Sequence, residues 1–284
     1  MDTCRIDKCD RHPVSGENVC SSHYFRLSTE SAEYFKKIEE KTWVYIPKTQ
    51  CFVLRLDGKG FSKVVKRFDV KWPFDPRLSD IMVRVTTDLA KYYSVDYAYT
   101  MSDEITLVFK STRCKDIRTF KYISEVAGLC SSLFYKYFID EFDVAKDLIP
   151  PYFDCRYIPI LVSDIPKMLK WRQWEEVKNS CANVAFSHFR GKQEILSNMS
   201  SPQMNKKLIT LKGLEKSWDF YPDIYKYGAL IHKEEKVVSK EPLVKTIKGV
   251  KKIFERKATR NVWVSSSILF KDKPDEYILK ILNK

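Results

Sequence analysis

CFVLRLDGKGFSK, residues 51–63, reads as a strand that runs into a helix. Residues 51–57 are apolar and β-branched, as in a buried strand, and FSKVVKRF after Gly60 reads as helix. Asp57 therefore stands at the C-terminal end of a buried strand, ahead of backbone amides that open a helix. Such amides suit phosphate, and such a carboxylate suits a hard metal ion. After the loop KWPFDPRL comes a helix over about residues 76–93, with Leu78, Ile81, Met82, Val85 and Leu89 on its buried face. YAYTMSDEITLVFK, residues 97–110, is a β-hairpin with Ser102, Asp103 and Glu104 at its tip. A long helix over 115–142 carries Arg118 and Lys121 in its first turns and buries Val126, Leu129, Phe134 and Phe138. A strand in YFDCRYIPILVS bears Asp154 and Arg156, and a helix over 163–190 follows. This order predicts an α+β domain, an antiparallel or mixed sheet with helices packed on it.

An acidic turn on a solvent-facing hairpin is common. What distinguishes this one is its pairing with Asp57. A strand-end aspartate plus an Asp-Glu hairpin is how palm-type polymerases and nucleotide cyclases gather carboxylates around two Mg²⁺ ions. Mg²⁺ prefers a few carboxylates plus substrate phosphates to an all-protein cage.

The chain of 284 residues is 44% hydrophobic, 14% aromatic and 31% charged, with 8 Gly and 12 Pro. That composition builds a sizeable core and excludes collagen-like, low-complexity and wholly disordered chains. No apolar run approaches the ~20 residues of a membrane-spanning helix. The polar, Cys-bearing opening MDTCRIDKCDRH is no signal peptide, so a soluble, cytoplasmic protein without a membrane partner is expected. Lys and Arg total 50 against 37 Asp and Glu, a net charge of +13. A surface this basic favours a polyanion such as nucleic acid. Lys236, Lys240, Lys245, Lys248, Lys251 and Lys252 form either a phosphate-tracking surface or a solvated helix face.

Cys51, Cys114, Cys130, Cys155 and Cys181 lie singly among apolar residues and read as small buried hydrophobes. The other three cysteines crowd the N-terminus. Cys4, Cys9, Cys20 and His23 form C-x4-C-x10-C-x2-H, two close ligand pairs joined by a turn at Pro13, Ser15 and Gly16. That is a set of four tetrahedral ligands for one structural Zn²⁺, with His12 a competing ligand. Ser28 or Thr29 caps a following helix that bears Tyr34, Phe35 and Ile38 on one face. The expected domains are a zinc module at 1–27, a palm-like domain at 28–235 and a basic extension at 236–284.

RLDGKGFSK (55–63), PFD (73–75), SDE (102–104), FDCR (153–156), WRQ (171–173) with NS (179–180), FSHFRG (186–191) and W-x3-P-x3-K-x-G (218–228) occur in one order. The set resembles the tRNA-histidine guanylyltransferase family, and more its 3′–5′ polymerase branch, which repairs tRNA 5′ ends. The resemblance covers about residues 45–235 and implies a polymerase palm run in the reverse chemical direction. It implies that Asp57 and Asp103 hold two Mg²⁺ ions with the Gly58 carbonyl, and that Glu104 is the neighbouring catalytic acid. It assigns nucleotide contacts to Asp57, Gly58, Lys59, Gly60, Phe61, Ser62, Ser102 and Asp103, and phosphate contacts to Lys71, Arg118 and Lys121. Trp72 separates Lys71 from the PFD motif, one position more than in the family pattern. The implied partners are tRNA, ATP, GTP and other nucleoside triphosphates, and the implied assembly is a tetramer.

Where the eukaryotic guanylyltransferases carry His-Ile-Asn-Asn, this chain has Val177-Lys178-Asn179-Ser180. That departure favours templated end repair over adding a single G to tRNA-histidine. The Cys/His module is also outside the family pattern. Two rival readings use the same residues: a nucleotide cyclase or dinucleotide synthase, opposed by the basic charge, and a non-catalytic nucleic-acid-binding protein, opposed by Asp57, Asp103 and Glu104.

Overall fold

The computed structural model describes residues 21–68, 70–111, 117–143, 151–247 and 250–282. Cys4, Cys9, Cys20 and Cys114 lie outside the described residues. The chain divides into two compact units, residues 1–45 with 118–120, and 46–117 with 121–284.

In the smaller unit, helix α1 spans Ser21–Glu40. The boundary expected at 27/28 falls inside this helix, because SSHYFRLSTESAEYF contains no Pro or Gly to stop it. His23 is a helical residue. Tyr34, Phe35 and Ile38 are exposed. Arg118 pairs with Glu39 at 3.7 Å and lies 4.4 Å from the centre of the Trp43 ring.

The larger unit is built on six strands: β1 (Phe52–Lys59), β2 (Tyr97–Met101), β3 (Glu104–Phe109), β4 (Tyr152–Pro159), β5 (Ala229–Ile247) and β6 (Val250–Ser266). Their order across the sheet is β4-β1-β3-β2-β5-β6. Every neighbouring pair is antiparallel, which settles the expected antiparallel or mixed sheet as antiparallel.

The two-residue period of β1 divides its side chains between two layers. Phe52, Leu54 and Leu56 enter a core shared with α3 (Pro76–Tyr92) and α4 (Thr119–Glu141). Ile81, Met82, Val85 and Leu89 are fully buried from α3, and Val126, Cys130, Phe134 and Phe138 from α4. Asp75 caps α3 by accepting from the Arg77 N–H, with Pro76 in the first turn. Cys51 and Val53 enter the opposite core, under α5 (Ile165–His188), Phe270 and Ile278. Gln173 on α5 donates to Tyr227 O and Ile268 O and accepts from the Phe270 N–H, which ties the segment after β6 to this helix. Among the described cysteines Cys51, Cys130 and Cys181 are buried and Cys155 is half-buried, all as free thiols.

The lysine-rich stretch departs from the helical alternative. Ala229–Ile247 and Val250–Ser266 form two long strands instead, and among the described residues β5 pairs with the rest of the sheet at Ala229–Ile231. Beyond that, β5 and β6 continue as a two-stranded ribbon, with a bulge between Val237 and Ser239. The expected boundary at 235/236 thus falls within a strand.

Candidate active site

The strand register builds the site. Asp57 faces Glu104 of β3 on one side and Asp154 of β4 on the other, so three carboxylates cross the sheet in a row. Two residues back, Arg55 faces Arg156 and Thr106. Like charges directly opposite each other are unfavourable, and the diagonals offset this. Arg55 Nη2 reaches Glu104 Oε1 at 2.5 Å, and Arg156 Nη2 lies 3.2 Å from Asp154 and 3.6 Å from Asp57. From α5, Arg172 Nη2 donates to Glu104 Oε2 and lies 3.7 Å from Glu176 Oε1.

Asp103 enters from the turn that joins β2 to β3. Ser102 takes φ +55° there, a left-handed conformation costing about 1–2 kcal/mol in a non-glycine residue. The Gly58 N–H donates to Asp103 O at 3.1 Å and fastens the turn to the end of β1. Gly58 leaves no room for a side chain: a Cβ would stand 2.3 Å from the Phe61 ring and 2.9 Å from Asp103 Cβ. Phe61, the first residue of α2 (Phe61–Arg67), is buried against Phe134 and Phe153. Gly60, at φ +73°, makes the bend between β1 and α2.

Burial pushes the Asp103 carboxyl up to about 6, with Asp57 and Glu104 adding to the rise, against hydrogen bonds from its own backbone N–H and from Ser102 Oγ. Burial pushes Glu176 up to about 7; Glu104 and Asp103 add to this, while Arg172 and the Asn179 amide oppose it. Five carboxylates (Asp57, Asp103, Glu104, Asp154, Glu176) thus gather around three guanidiniums (Arg55, Arg156, Arg172). Asp154 Oδ1 is buried without a hydrogen-bond partner. This donor set, short of positive charge, fits a divalent cation. Among the described residues no three His, Cys, Asp or Glu form a cage that holds a metal unaided, so such a cation would also need backbone or substrate oxygens.

The expected site residues divide. Asp57, Gly58, Ser102, Asp103 and Glu104 meet at the end of β1, with Phe61 beneath them. Both oxygens of Glu104 are engaged by arginines, so it differs from Asp57 and Asp103. Lys59, Gly60 and Ser62 are exposed where β1 turns into α2. The Lys71 N–H donates to Asp75 Oδ2 at 3.0 Å, which makes Asp75 of PFD a brace for that loop. Lys121 pairs with Glu125 at 3.5 Å along α4, and Arg118 belongs to the smaller unit.

Ser180 has a packing role: its Oγ accepts from Trp218 Nε1 at 3.0 Å, and its carbonyl accepts from Tyr225 OH at 3.1 Å. Lys178 pairs with Glu175 at 2.8 Å. Arg55, Arg172 and Glu176 are the residues the sequence reading missed. Two signals pointed to them: a charge inside the otherwise apolar run CFVLRLD, and an Arg-Glu pair spaced i, i+4 on α5.

Comparison with known proteins agrees with the ordered motifs. Residues 32–161 match the family described as tRNAHis guanylyltransferase. The tRNA(His) guanylyltransferase of Schizosaccharomyces pombe is 28% identical over 208 residues, covering 70% of this chain and 78% of the relative. Two solved structures of bacterial tRNA(His) guanylyltransferase-like proteins share the fold. One, in complex with ATP, has a TM-score of 0.63 at 24% identity over 72% of this chain and 86% of the other. The second, in complex with GTP, has a TM-score of 0.63 at 20% identity over 89% and 99%.

Proposed function

We propose, from the premise that residues 32–161 belong to the tRNAHis guanylyltransferase family, that this chain adds nucleotides in the 3′–5′ direction to the 5′ end of tRNA. The observation that carries the reading is the convergence of Asp57 and Asp103 at the end of β1, in a cluster short of positive charge. The substrates are a tRNA 5′-monophosphate end and nucleoside triphosphates, in line with the ATP and GTP bound by the solved relatives. The 5′-phosphate oxygen first attacks the α-phosphorus of a triphosphate, pyrophosphate leaves, and the nucleoside monophosphate now joined to the 5′ end is the leaving group of the second step. The 3′-hydroxyl of the incoming nucleotide then attacks the activated phosphate, and the P–O bond to the leaving group breaks.

Asp57, Asp103 and the Gly58 carbonyl would hold two Mg²⁺ ions. When bound, these lower the pKa of the attacking hydroxyl and offset charge on the leaving group. The absence of a side chain at Gly58 lets Phe61 and Asp103 close against the strand end, and Lys59, Gly60 and Ser62 are exposed beside it for the nucleotide. Lys71, Arg118 and Lys121 are candidates for the triphosphate and the RNA phosphates. The β5–β6 ribbon supplies a second RNA surface. In its register Lys236 stands opposite Arg260, Lys240 opposite Lys257 and Lys245 opposite Lys252. A stretch this rich in Lys and Arg is compensated by phosphate.

Two narrower readings rest on sequence. Val177 and Lys178 replace the first residues of the strict guanylyltransferases' stretch, and Lys178 reads bases poorly as a point charge. Templated Watson–Crick addition to several 5′-truncated tRNAs is therefore expected over untemplated G addition to tRNA-histidine. Cys4, Cys9, Cys20 and His23 are assigned one structural Zn²⁺, checked by metal analysis of the purified protein against a Cys4→Ser/Cys9→Ser variant.

The test gives equal enzyme either 5′-truncated tRNAs or intact tRNA-histidine, with all four nucleotides. Faster extension of the truncated RNAs supports the reading. Strong preference for tRNA-histidine with GTP alone would restore the narrower activity, and no extension of either RNA would sink both.

A further inference from the structure

Arg172 is almost wholly inside the protein, with 5% of its side chain exposed. It leaves the buried face of α5 together with Gln173, which anchors that helix to Tyr227, Ile268 and Phe270. Its guanidinium takes one oxygen of Glu104, and Arg55 takes the other. Glu104 follows Asp103 directly and opens β3, and its carbonyl accepts from Thr100 Oγ1 at 2.9 Å. The turn bearing Asp103 is therefore fastened at two points: Gly58 N–H on the β1 side, and the Glu104 side chain on the α5 side.

We propose that Arg172 is a positioning residue for nucleotide transfer, acting from α5 through Glu104 to fix the turn that carries Asp103. The guanidinium also takes up the Glu104 charge, which sets Glu104 apart from Asp57 and Asp103. The inference rests on the proposed reading in that these two aspartates are taken as the metal ligands. A packing role alone makes a different statement: removing Arg172 would then lower stability and leave the folded protein's cation affinity and turnover intact.

Three variants of the full chain separate the two: Arg172→Met, Arg172→Lys, and Arg172→Met combined with Glu104→Gln. The last removes Arg172 together with its Glu104 partner, so the lost guanidinium leaves no unpaired charge at Glu104. Each is measured where thermal melts show it folded. Mn²⁺ binding is followed by electron paramagnetic resonance without RNA, and nucleotide addition as kcat and KM.

The double variant and Arg172→Met should bind Mn²⁺ on the order of tenfold more weakly and lose on the order of 10–100-fold in kcat. KM for the triphosphate should move less than about twofold, because only the acid turn is released. Arg172→Lys should recover part of the loss, since it keeps the charge and loses the planar fork. Wild-type Mn²⁺ affinity and kcat in the folded double variant would overturn the proposal. Weaker Mn²⁺ binding in the variants alongside a wild type inactive on RNA would support it and refute the RNA reading.

Discussion

The end of β1 and the β5–β6 ribbon carry charge in opposite ways. At the end of β1, Asp57 is flanked by strands on both sides, and the carboxylates around it are cross-braced by Arg55, Arg156 and, from α5, Arg172. The ribbon, Ala229–Ile247 with Val250–Ser266, is rich in lysine and arginine by sequence and joins the sheet at Ala229–Ile231. The first region is over-determined, as befits atoms that must meet a reacting phosphate. The second pairs with no third strand beyond Ile231 among the described residues, and under the proposed function an RNA phosphate backbone would supply its counter-charge. The proposed function thus puts position-sensitive chemistry where the fold is braced and sequence-independent grip where it is not.

That contrast predicts effects of very different size. Asp57→Asn and Asp103→Asn keep the shape and remove the charge, so each should cut nucleotide addition by more than about a hundred-fold, beyond the usual loss from an outer-shell partner. The check is single-turnover extension at saturating Mg²⁺. Near-normal rates in either variant would remove that residue from the metal site.

Gly58→Ala should come next. Its Cβ meets the Phe61 ring at 2.3 Å and Asp103 Cβ at 2.9 Å, so either Phe61 or the acid turn must shift. We expect a loss of roughly 1–3 kcal/mol in stability together with a fall in kcat, read by chemical denaturation and by turnover. A variant with the stability and rate of wild type would show that the strand end is looser than described.

The ribbon should respond through binding. Lys245→Ala with Lys252→Ala should raise KM for RNA about tenfold and lower the salt slope of RNA binding by about two. The kcat should stay near that of wild type. A fall in kcat with unchanged salt dependence would place the ribbon in the chemistry instead.

The smallest effect is a pH dependence. Glu176 is held near 7 in the folded protein, against an ordinary value of 4.5, so the folded state keeps a proton that the unfolded chain releases between those pH values. Its contribution to stability is full below about 4.5 and is lost as pH rises towards 7. Glu176→Gln should therefore gain stability relative to wild type between pH 5 and pH 8, on the order of 2 kcal/mol. Denaturation at both pH values checks this, and a difference that does not change with pH would mean that Glu176 does not titrate in this range.

Much of the catalytic region was legible because its signals are local. Asp57 ends an apolar run, and Asp103 and Glu104 sit between two short β-branched segments. The arginine bracing was not, because it joins residues 49 and 68 positions apart, brought together by strand register for Arg55 and by the packing of α5 for Arg172. The helical alternative for 236–252 rested on its lysine and glutamate content. The competing signal was two β-branched runs separated by Lys248-Gly249, a hairpin pattern that outweighs composition. The start of α1 was placed late because its first residues sit among the cysteines read as zinc ligands.

The most direct test of the central claim asks at which RNA end the nucleotide is added. A 5′-truncated tRNA with its 3′ end blocked is incubated with ATP and labelled nucleotides, using wild-type protein and the Asp57→Asn and Asp103→Asn variants. The account predicts growth at the 5′ end with wild type and none with either variant. No 5′ growth with wild type, or equal growth with the variants, would contradict it.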